Sequence, residues 1–330
     1  MTALPVGIVG WGTAVPDGRL TNADLEARVD TSDAWIRERT GITERRIAGD
    51  GESTASLGTE AARNALKQAG LEASDIDLLI VATATPEQPI PHTGAFIGDN
   101  LGLRCGSFDL AAACAGFTYE LIVGSSMVNM GYERVLIVGA ETLTRITDPA
   151  DRTTIILFGD GAGAAVLAPV ADGAPALLAW DLGCDGSAAG LLQVPAGGSR
   201  RPATAATIAA GDHYLKMQGQ NVFKQAVRAV VASANATLER AGVASSDVDW
   251  FVPHQANARI IDAAGARLDI PAERTLVNIE RYGNTSSASI PLALFEGVDD
   301  GRVQPGDVVL LSGFGAGMTW ASALLRWTGQ

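Results

Sequence analysis

The chain has 330 residues, 47% of them hydrophobic and 18% charged, with a formal net charge of −13. That length suits one large domain or two fused halves, each with its own core. The acidic balance argues against general nucleic-acid binding, which needs a basic footprint, and no run approaches the ~20 apolar residues of a membrane span.

The first residues, Met1-Thr-Ala-Leu-Pro-Val-Gly-Ile-Val-Gly10, lack the basic start and cleavage site of a secretion signal. Three cysteines, an odd number, give no disulfide framework. The expectation is a cytoplasmic protein in a reducing compartment. Along the chain, apolar β-rich runs fall at residues 6–9, 77–82, 134–138, 164–167, 250–252 and 308–311. Between them lie Ala-rich amphipathic stretches at 53–69, 116–130 and 222–240. Alternation of this kind predicts an α/β fold with a parallel-type or mixed sheet covered by helices.

The chain also echoes itself. Ala69-Gly-Leu-Glu-Ala-Ser-Asp-Ile-Asp77 matches Ala241-Gly-Val-Ala-Ser-Ser-Asp-Val-Asp249 at five of nine positions, 172 residues apart. A looser pairing sets Val135-Leu-Ile-Val-Gly139 and Phe158-Gly-Asp-Gly-Ala-Gly163 against Val308-Val-Leu-Leu-Ser-Gly-Phe-Gly-Ala-Gly317. An offset near half the chain length implies duplicated halves, expected at 1–172 and 173–330, and not a short-period solenoid. Two packed halves make a cleft at their junction, where ligand sites concentrate.

Cys114 follows an apolar run and tiny residues, Ser107-Phe-Asp-Leu-Ala-Ala-Ala-Cys114, and precedes a helical pattern from about Gly116. A helix N-terminus favours a thiolate, so the residue is a candidate nucleophile; a buried structural cysteine is the alternative. Cys105 and Cys184 lack this setting and read as structural. No cysteine pair has zinc-ligand spacing with histidine. His254 comes directly after the short strand-like run Trp250-Phe-Val-Pro253, well placed to face a cleft or to be a satisfied core histidine. His92 and His213 sit in loop-like segments. Asn284, in Tyr282-Gly-Asn-Thr-Ser-Ser287, reads as part of a tight turn into a helix, where Asn often caps. The glycine runs Gly7-Ile-Val-Gly-Trp-Gly12 and Gly159-Asp-Gly-Ala-Gly163 lack a dinucleotide fingerprint, and no P-loop is present.

Six segments together resemble the β-ketoacyl-acyl-carrier-protein synthase III family, and the resemblance spans nearly the whole chain. They are Thr31-Ser-Asp-Ala-Trp-Ile-Arg-Glu-Arg-Thr-Gly41, Asp109-Leu-Ala-Ala-Ala-Cys-Ala-Gly-Phe117, Asp151-Arg-Thr-Thr-Ile-Ile-Leu-Phe-Gly-Asp-Gly-Ala-Gly163, His254-Gln-Ala-Asn257, Tyr282-Gly-Asn-Thr-Ser-Ser287 and Gly313-Phe-Gly-Ala-Gly-Met-Thr-Trp320. The resemblance implies a duplicated five-layered αβαβα thiolase-like fold, dimeric, that primes fatty-acid synthesis. It implies Cys114 as nucleophile with His254 and Asn284 as partners. The backbone amides of Cys114 and Ala316 would form the oxyanion hole. Trp35 and Arg152 would sandwich the adenine of CoA, Arg39 would approach its phosphates and Asn257 its pantetheine arm. Phe314 would line the entrance. Ile90 would reach the acyl pocket across the dimer, where an aromatic residue goes with an acetyl primer and isoleucine leaves room for longer or branched groups. The partners implied are acyl-CoA and malonyl-acyl-carrier protein, with no metal or redox cofactor. An acidic carrier protein needs a local basic patch, for which Lys224, Arg228, Arg259 and Arg267 are candidates. A starter-unit enzyme of a specialised pathway and a pure acyltransferase are the alternatives on the same fold.

Overall fold

The computed structural model describes residues 5–170 and 177–327. The principal elements of the first half are β1 (Val6–Ala14), α1 (Asp33–Thr40), α2 (Thr54–Ala69), β2 (Leu78–Ala82), α3 (Thr93–Leu101), β3 (Gly106–Leu110), α4 (Gly116–Asn129), β4 (Val135–Thr142) and β5 (Asp160–Pro169). The second half runs β6 (Leu177–Cys184), α5 (Gly219–Ala241), β7 (Trp250–Pro253), α6 (Ala258–Arg267), α7 (Ser289–Asp299), β8 (Val308–Gly315) and β9 (Thr319–Arg326). Strands β6 and β9 fall outside the apolar runs read from the sequence. Exposed Leu178, Trp180 and Leu182 break the burial expected of β6, which lies at the edge of its sheet.

The strands form two mixed sheets. One has the order β1-β5-β4-β2-β3, the other β7-β8-β9-β6. In the first, β2 runs parallel to β3 and β4, while β5 is antiparallel to β4 and β1. In the second, β7 is parallel to β8, and β9 is antiparallel to β8 and β6. Element by element, β1, α2, β2, α4, β4 and β5 repeat as β6, α5, β7, α7, β8 and β9. Among the described residues strand β3 has no full counterpart; a parallel bridge from Phe251 to Thr275 stands in its place.

The nine-residue echo is reproduced in the backbone. Gly70 ends α2 at φ 65°, ψ 32°, and Gly242 ends α5 at φ 65°, ψ 30°. Both need the left-handed conformation that glycine adopts without a Cβ penalty. The second pairing holds only for its strands. Gly159–Gly163 leads into β5, whereas 313–317 closes β8 and turns towards β9, because the first half inserts residues 143–159 between β4 and β5. The run Gly7–Gly12 lies inside β1, paired along its length with β5. The expected boundary at 172/173 lies outside the described residues.

Three hydrophobic clusters mark the layer interfaces. One packs α2 against the first sheet, through Ala61, Ala65, Val138 and Val166. Another lies between the two sheets, where Phe117 and Leu121 of α4 and Phe295 of α7 meet Ile80, Ile137, Val309 and Leu311. A third packs α5 and α6 against the second sheet, through Val230, Ala264 and Leu310. The result is the five-layered αβαβα arrangement. No helix among the described residues is long and apolar enough to cross a membrane. Apolar burial of this extent stabilises the layers by ~25 cal/mol for each Å² removed from water.

Candidate active site

Cys114 sits in a tight 3-10 turn, Ala113–Ala115, directly before α4. The turn is sharp enough to put Ala113 at φ 45°, a strained value for a residue with a Cβ. The β8–β9 turn backs onto it. A Cβ at Gly315 would lie 2.5 Å from the Cys114 nitrogen, and one at Gly313 would lie 2.9 Å from the Ala115 Cα. Only glycine permits so close an approach. Thr319 Oγ1 donates to Ala112 O at 2.8 Å and ties the two turns together. The N–H of Ala316, next to Gly315, is paired with no acceptor among the described residues.

The thiol is 8% exposed. Burial pushes its pKa up to about 12, outweighing the other influences. Ser286 Oγ lies close enough to favour the thiolate without making a well-aligned hydrogen bond, and the Glu141 carboxyl opposes it. The helix N-terminus predicted to favour a thiolate is present, yet desolvation governs the resting state, so Cys114 rests as a neutral thiol.

His254 follows β7 and is 5% exposed. Its backbone N–H donates to Ser312 O of β8 at 2.8 Å. Its Nδ1 lies 2.6 Å from Ser289 Oγ. Burial lowers its pKa to about 3, so the imidazole is neutral. Asn284 is clamped by its backbone: its N–H donates to Leu157 O at 2.8 Å and its carbonyl accepts from Gly159 N at 3.0 Å. Its Oδ1 accepts the Ser286 N–H at 2.9 Å. That bond assigns the amide orientation and leaves the Nδ2 group, a donor, as the free end. Cys114, His254 and Asn284 line one cavity of about 700 Å³, together with Phe314 and Gly315.

The cavity reaches from these buried groups to half-buried and exposed ones. Trp35 and Arg39, one turn apart on α1, line it. The Arg152 guanidinium lies 4.6 Å from the Trp35 ring centre and that of Arg39 lies 5.9 Å away. Asn257 lines the cavity too, but both ends of its amide are engaged: Oδ1 caps α6 through Arg259 N at 2.9 Å, and Nδ2 donates to Arg39 O at 2.9 Å. Of the basic residues, Lys224 and Arg259 line the same cavity, with Arg259 5.8 Å over the Phe223 ring. Arg228 lines a neighbouring polar groove with Lys224. Arg267 is exposed in the last turn of α6, about 12 Å along the axis from Arg259. None of these four is ion-paired among the described residues. Ile90 stands 84% exposed in the loop before α3 and does not line the cavity of its own chain.

A buried polar network beneath the site escapes the sequence reading. Ser287 Oγ lies 2.9 Å from both Ala82 O and Glu141 Oε1. Glu141 also accepts from Thr85 Oγ1 at 2.7 Å and from Ala84 N. Burial raises its pKa. Glu120 of α4 accepts from Ala82 N at 3.0 Å. The signal was the run of small hydroxyl residues from Thr285 to Ser289, which reads as a turn until its partners are known.

Two regions match a known family. Residues 108–186 match 3-oxoacyl-[acyl-carrier-protein (ACP)] synthase III, and residues 238–327 match its C-terminal part. The chain is 50% identical over 323 residues to the β-ketoacyl-[acyl-carrier-protein] synthase III of Roseiflexus castenholzii (strain DSM 13941 / HLO8), spanning 97% of this chain and 98% of that one. The crystal structure of 3-oxoacyl-(acyl carrier protein) synthase III from Pseudomonas aeruginosa PAO1 superposes with a TM-score of 0.91 at 42% identity, covering 98% of each chain. The priming β-ketosynthase of the R1128 polyketide pathway also superposes at 0.91, at 37% identity, covering 99% of this chain and 98% of that one.

Proposed function

The chain belongs to the β-ketoacyl-[acyl-carrier-protein] synthase III family, and from that premise we propose that Cys114, His254 and Asn284 carry its condensation. The enzyme is an acyl-transferring condensing enzyme of fatty-acid chain initiation. The observation that supports the assignment of residues is their shared cavity, with a thiol facing two neutral groups.

The first half-reaction moves an acyl group from acyl-CoA to Cys114. The thiolate attacks the thioester carbonyl, the carbon–sulfur bond to CoA breaks, and CoA leaves with the proton that Cys114 gave up. A covalent intermediate splits one hard transfer into two easier ones. The tetrahedral oxyanion is held by the N–H groups of Cys114 and Ala316. In the second, malonyl-carrier protein loses CO₂, and the electron pair of that bond becomes an enolate. His254 and Asn284 donate to the enolate oxygen, where a carboxylate would repel it. The enolate carbon attacks the acyl carbonyl on Cys114. The carbon–sulfur bond breaks, a 3-oxoacyl thioester leaves, and the released thiolate takes a proton from solvent. Atoms and electrons balance without a metal or redox cofactor.

Trp35, Arg152 and Arg39 hold the CoA nucleotide, and Asn257 orders the entrance near the pantetheine arm. Lys224, Arg228, Arg259 and Arg267 meet the acidic carrier protein. The chain acts as a cytoplasmic homodimer in which Ile90 borders the partner's acyl pocket. Its exposure, and the outer edge of β3, which pairs with no strand among the described residues, support that reading. The likeness to a polyketide-priming enzyme favours one second reading, the same chemistry feeding a specialised pathway. Pure acyl transfer would leave the two donors without an enolate to stabilise.

Intact-mass measurement after mixing with a panel of acyl-CoAs tests the first half-reaction at Cys114. Addition of malonyl-carrier protein then tests the second. An adduct that never yields a 3-oxoacyl product overturns the condensation, and no adduct at all overturns the nucleophile.

A further inference from the structure

We propose that Ser289 is a positioning residue that holds His254 in the tautomer with its hydrogen on Nε2. The imidazole then enters the reaction as a neutral donor and not as a base. This rests on the reading of the site given above and names what sets the polarity of one of its groups.

Ser289 Oγ is 1% exposed as a residue and has two contacts among the described residues: His254 Nδ1 at 2.6 Å and the Gln255 backbone N–H at 3.4 Å. The second is a donor, so Oγ accepts there. The hydroxyl hydrogen then has one acceptor within reach, His254 Nδ1. In the opposite arrangement Nδ1–H would donate to Oγ, and the hydroxyl hydrogen would be buried with no partner, at a cost of about 1–3 kcal/mol. The arrangement that satisfies every group leaves Nδ1 unprotonated. A neutral imidazole then carries its hydrogen on Nε2.

The frame around this contact is fixed on every side. The Gln255 side chain donates to Pro253 O at 2.7 Å and to Leu276 O at 3.2 Å, and its Oε1 accepts the Asn278 N–H at 3.1 Å. The His254 backbone is bonded to Ser312 O. Nε2 has no partner among the described residues, and His254 lines the catalytic cavity. Ser289 opens α7 at the end of the segment whose Ser286 N–H turns the Asn284 amide. One short stretch, 286–289, therefore orients both donors. The Nδ1 partner is a hydroxyl and not a carboxylate, so nothing at that atom stabilises an imidazolium. A base tautomer would aim a lone pair at the enolate oxygen; the donor tautomer aims an N–H, in place before charge develops.

The test uses the full chain labelled with ¹⁵N-histidine, which has only three histidines. Spectra of the resting protein are expected to show a pyridine-like Nδ1 and a protonated Nε2 for His254. Ser289→Ala is expected to mix the tautomers and to lower kcat for condensation roughly 10²-fold. Self-acylation of Cys114 is expected to stay near the wild-type rate, and Ser289→Thr to restore both spectrum and kcat. A wild-type His254 with its hydrogen on Nδ1 overturns the proposal, and so does a Ser289→Ala enzyme with unchanged condensation. If the variant does not fold, the wild-type spectrum still decides. Absence of condensation in the wild type would instead overturn the reading of the site and leave the tautomer assignment standing.

Discussion

The Arg152 guanidinium sits 4.6 Å from the centre of the Trp35 ring, and Asp30 holds the same guanidinium at 3.4 Å. The two faces that would grip an adenine thus already touch. A ring placed between them widens the gap to roughly 7 Å and draws Arg152 from Asp30. Trp35→Ala is expected to raise the KM for acyl-CoA about 3- to 30-fold with little change in kcat. Asp30→Asn is expected to lower that KM slightly. Steady-state kinetics over a range of acyl-CoA concentrations checks both; an unchanged KM in Trp35→Ala removes the nucleotide from this site.

The raised thiol gives a pH signature. With its pKa near 12 by burial, the Cys114 thiolate fraction grows across the whole alkaline range. A free cysteine levels off above about pH 8.5. Alkylation of Cys114 by iodoacetamide, followed by mass, is therefore expected to be still climbing at about pH 10. A plateau near neutrality would mean that the α4 N-terminus outweighs burial.

Charge reversal separates carrier docking from CoA binding. Arg228 lines the groove beside the cavity and not the cavity itself. Arg228→Glu is expected to lower kcat/KM for malonyl-carrier protein about tenfold at low salt, less at high salt, and to leave self-acylation by acyl-CoA unchanged. Equal loss in both half-reactions would remove Arg228 from the docking surface.

Glu120 makes stability depend on pH. Its Oε1 has no well-aligned hydrogen-bond partner among the described residues, and burial raises its pKa well above the ordinary 4.5, outweighing the backbone N–H groups of Ala82 and Val138. Between those values the folded chain holds a proton that the unfolded chain has released, so stability falls as pH rises through that window. Glu120→Gln removes this dependence. Melting curves are expected to show a higher Tm for the variant at about pH 8, with the difference vanishing below about pH 4. A variant equally or less stable at about pH 8 would contradict it.

Acyl choice tests the reach of Ile90. Ile90→Phe is expected to shift preference towards acetyl-CoA over isobutyryl- and hexanoyl-CoA in competition assays. If the wild type already prefers acetyl-CoA strongly, the open-pocket reading fails.

The repeat was legible because a helix end, a glycine and a strand start recur in register, and Gly70 and Gly242 share their φ and ψ. Cys114 and His254 were legible as residues at the ends of apolar runs. The sequence could not show how the Asn284 amide and the His254 ring are held, since that depends on Ser286 and Ser289 and on contacts made across the fold. Nor could it reveal that Asn257 is spoken for by α6 and Arg39, because an N-cap and a binding amide have the same composition. Burial acts in three dimensions, so the rise of the Cys114 pKa was equally out of sight.

Cys114 and the two groups that share its cavity, His254 and Asn284, come from opposite halves of a duplicated chain. During synthesis at 5–20 residues per second, the 170 residues from Cys114 to Asn284 take roughly 9–34 s to emerge. Through that interval a nascent chain holds the thiol without Asn284, and for most of it without His254. A product truncated before Asn284 would carry Cys114 without the two cavity-lining groups that the proposed condensation needs.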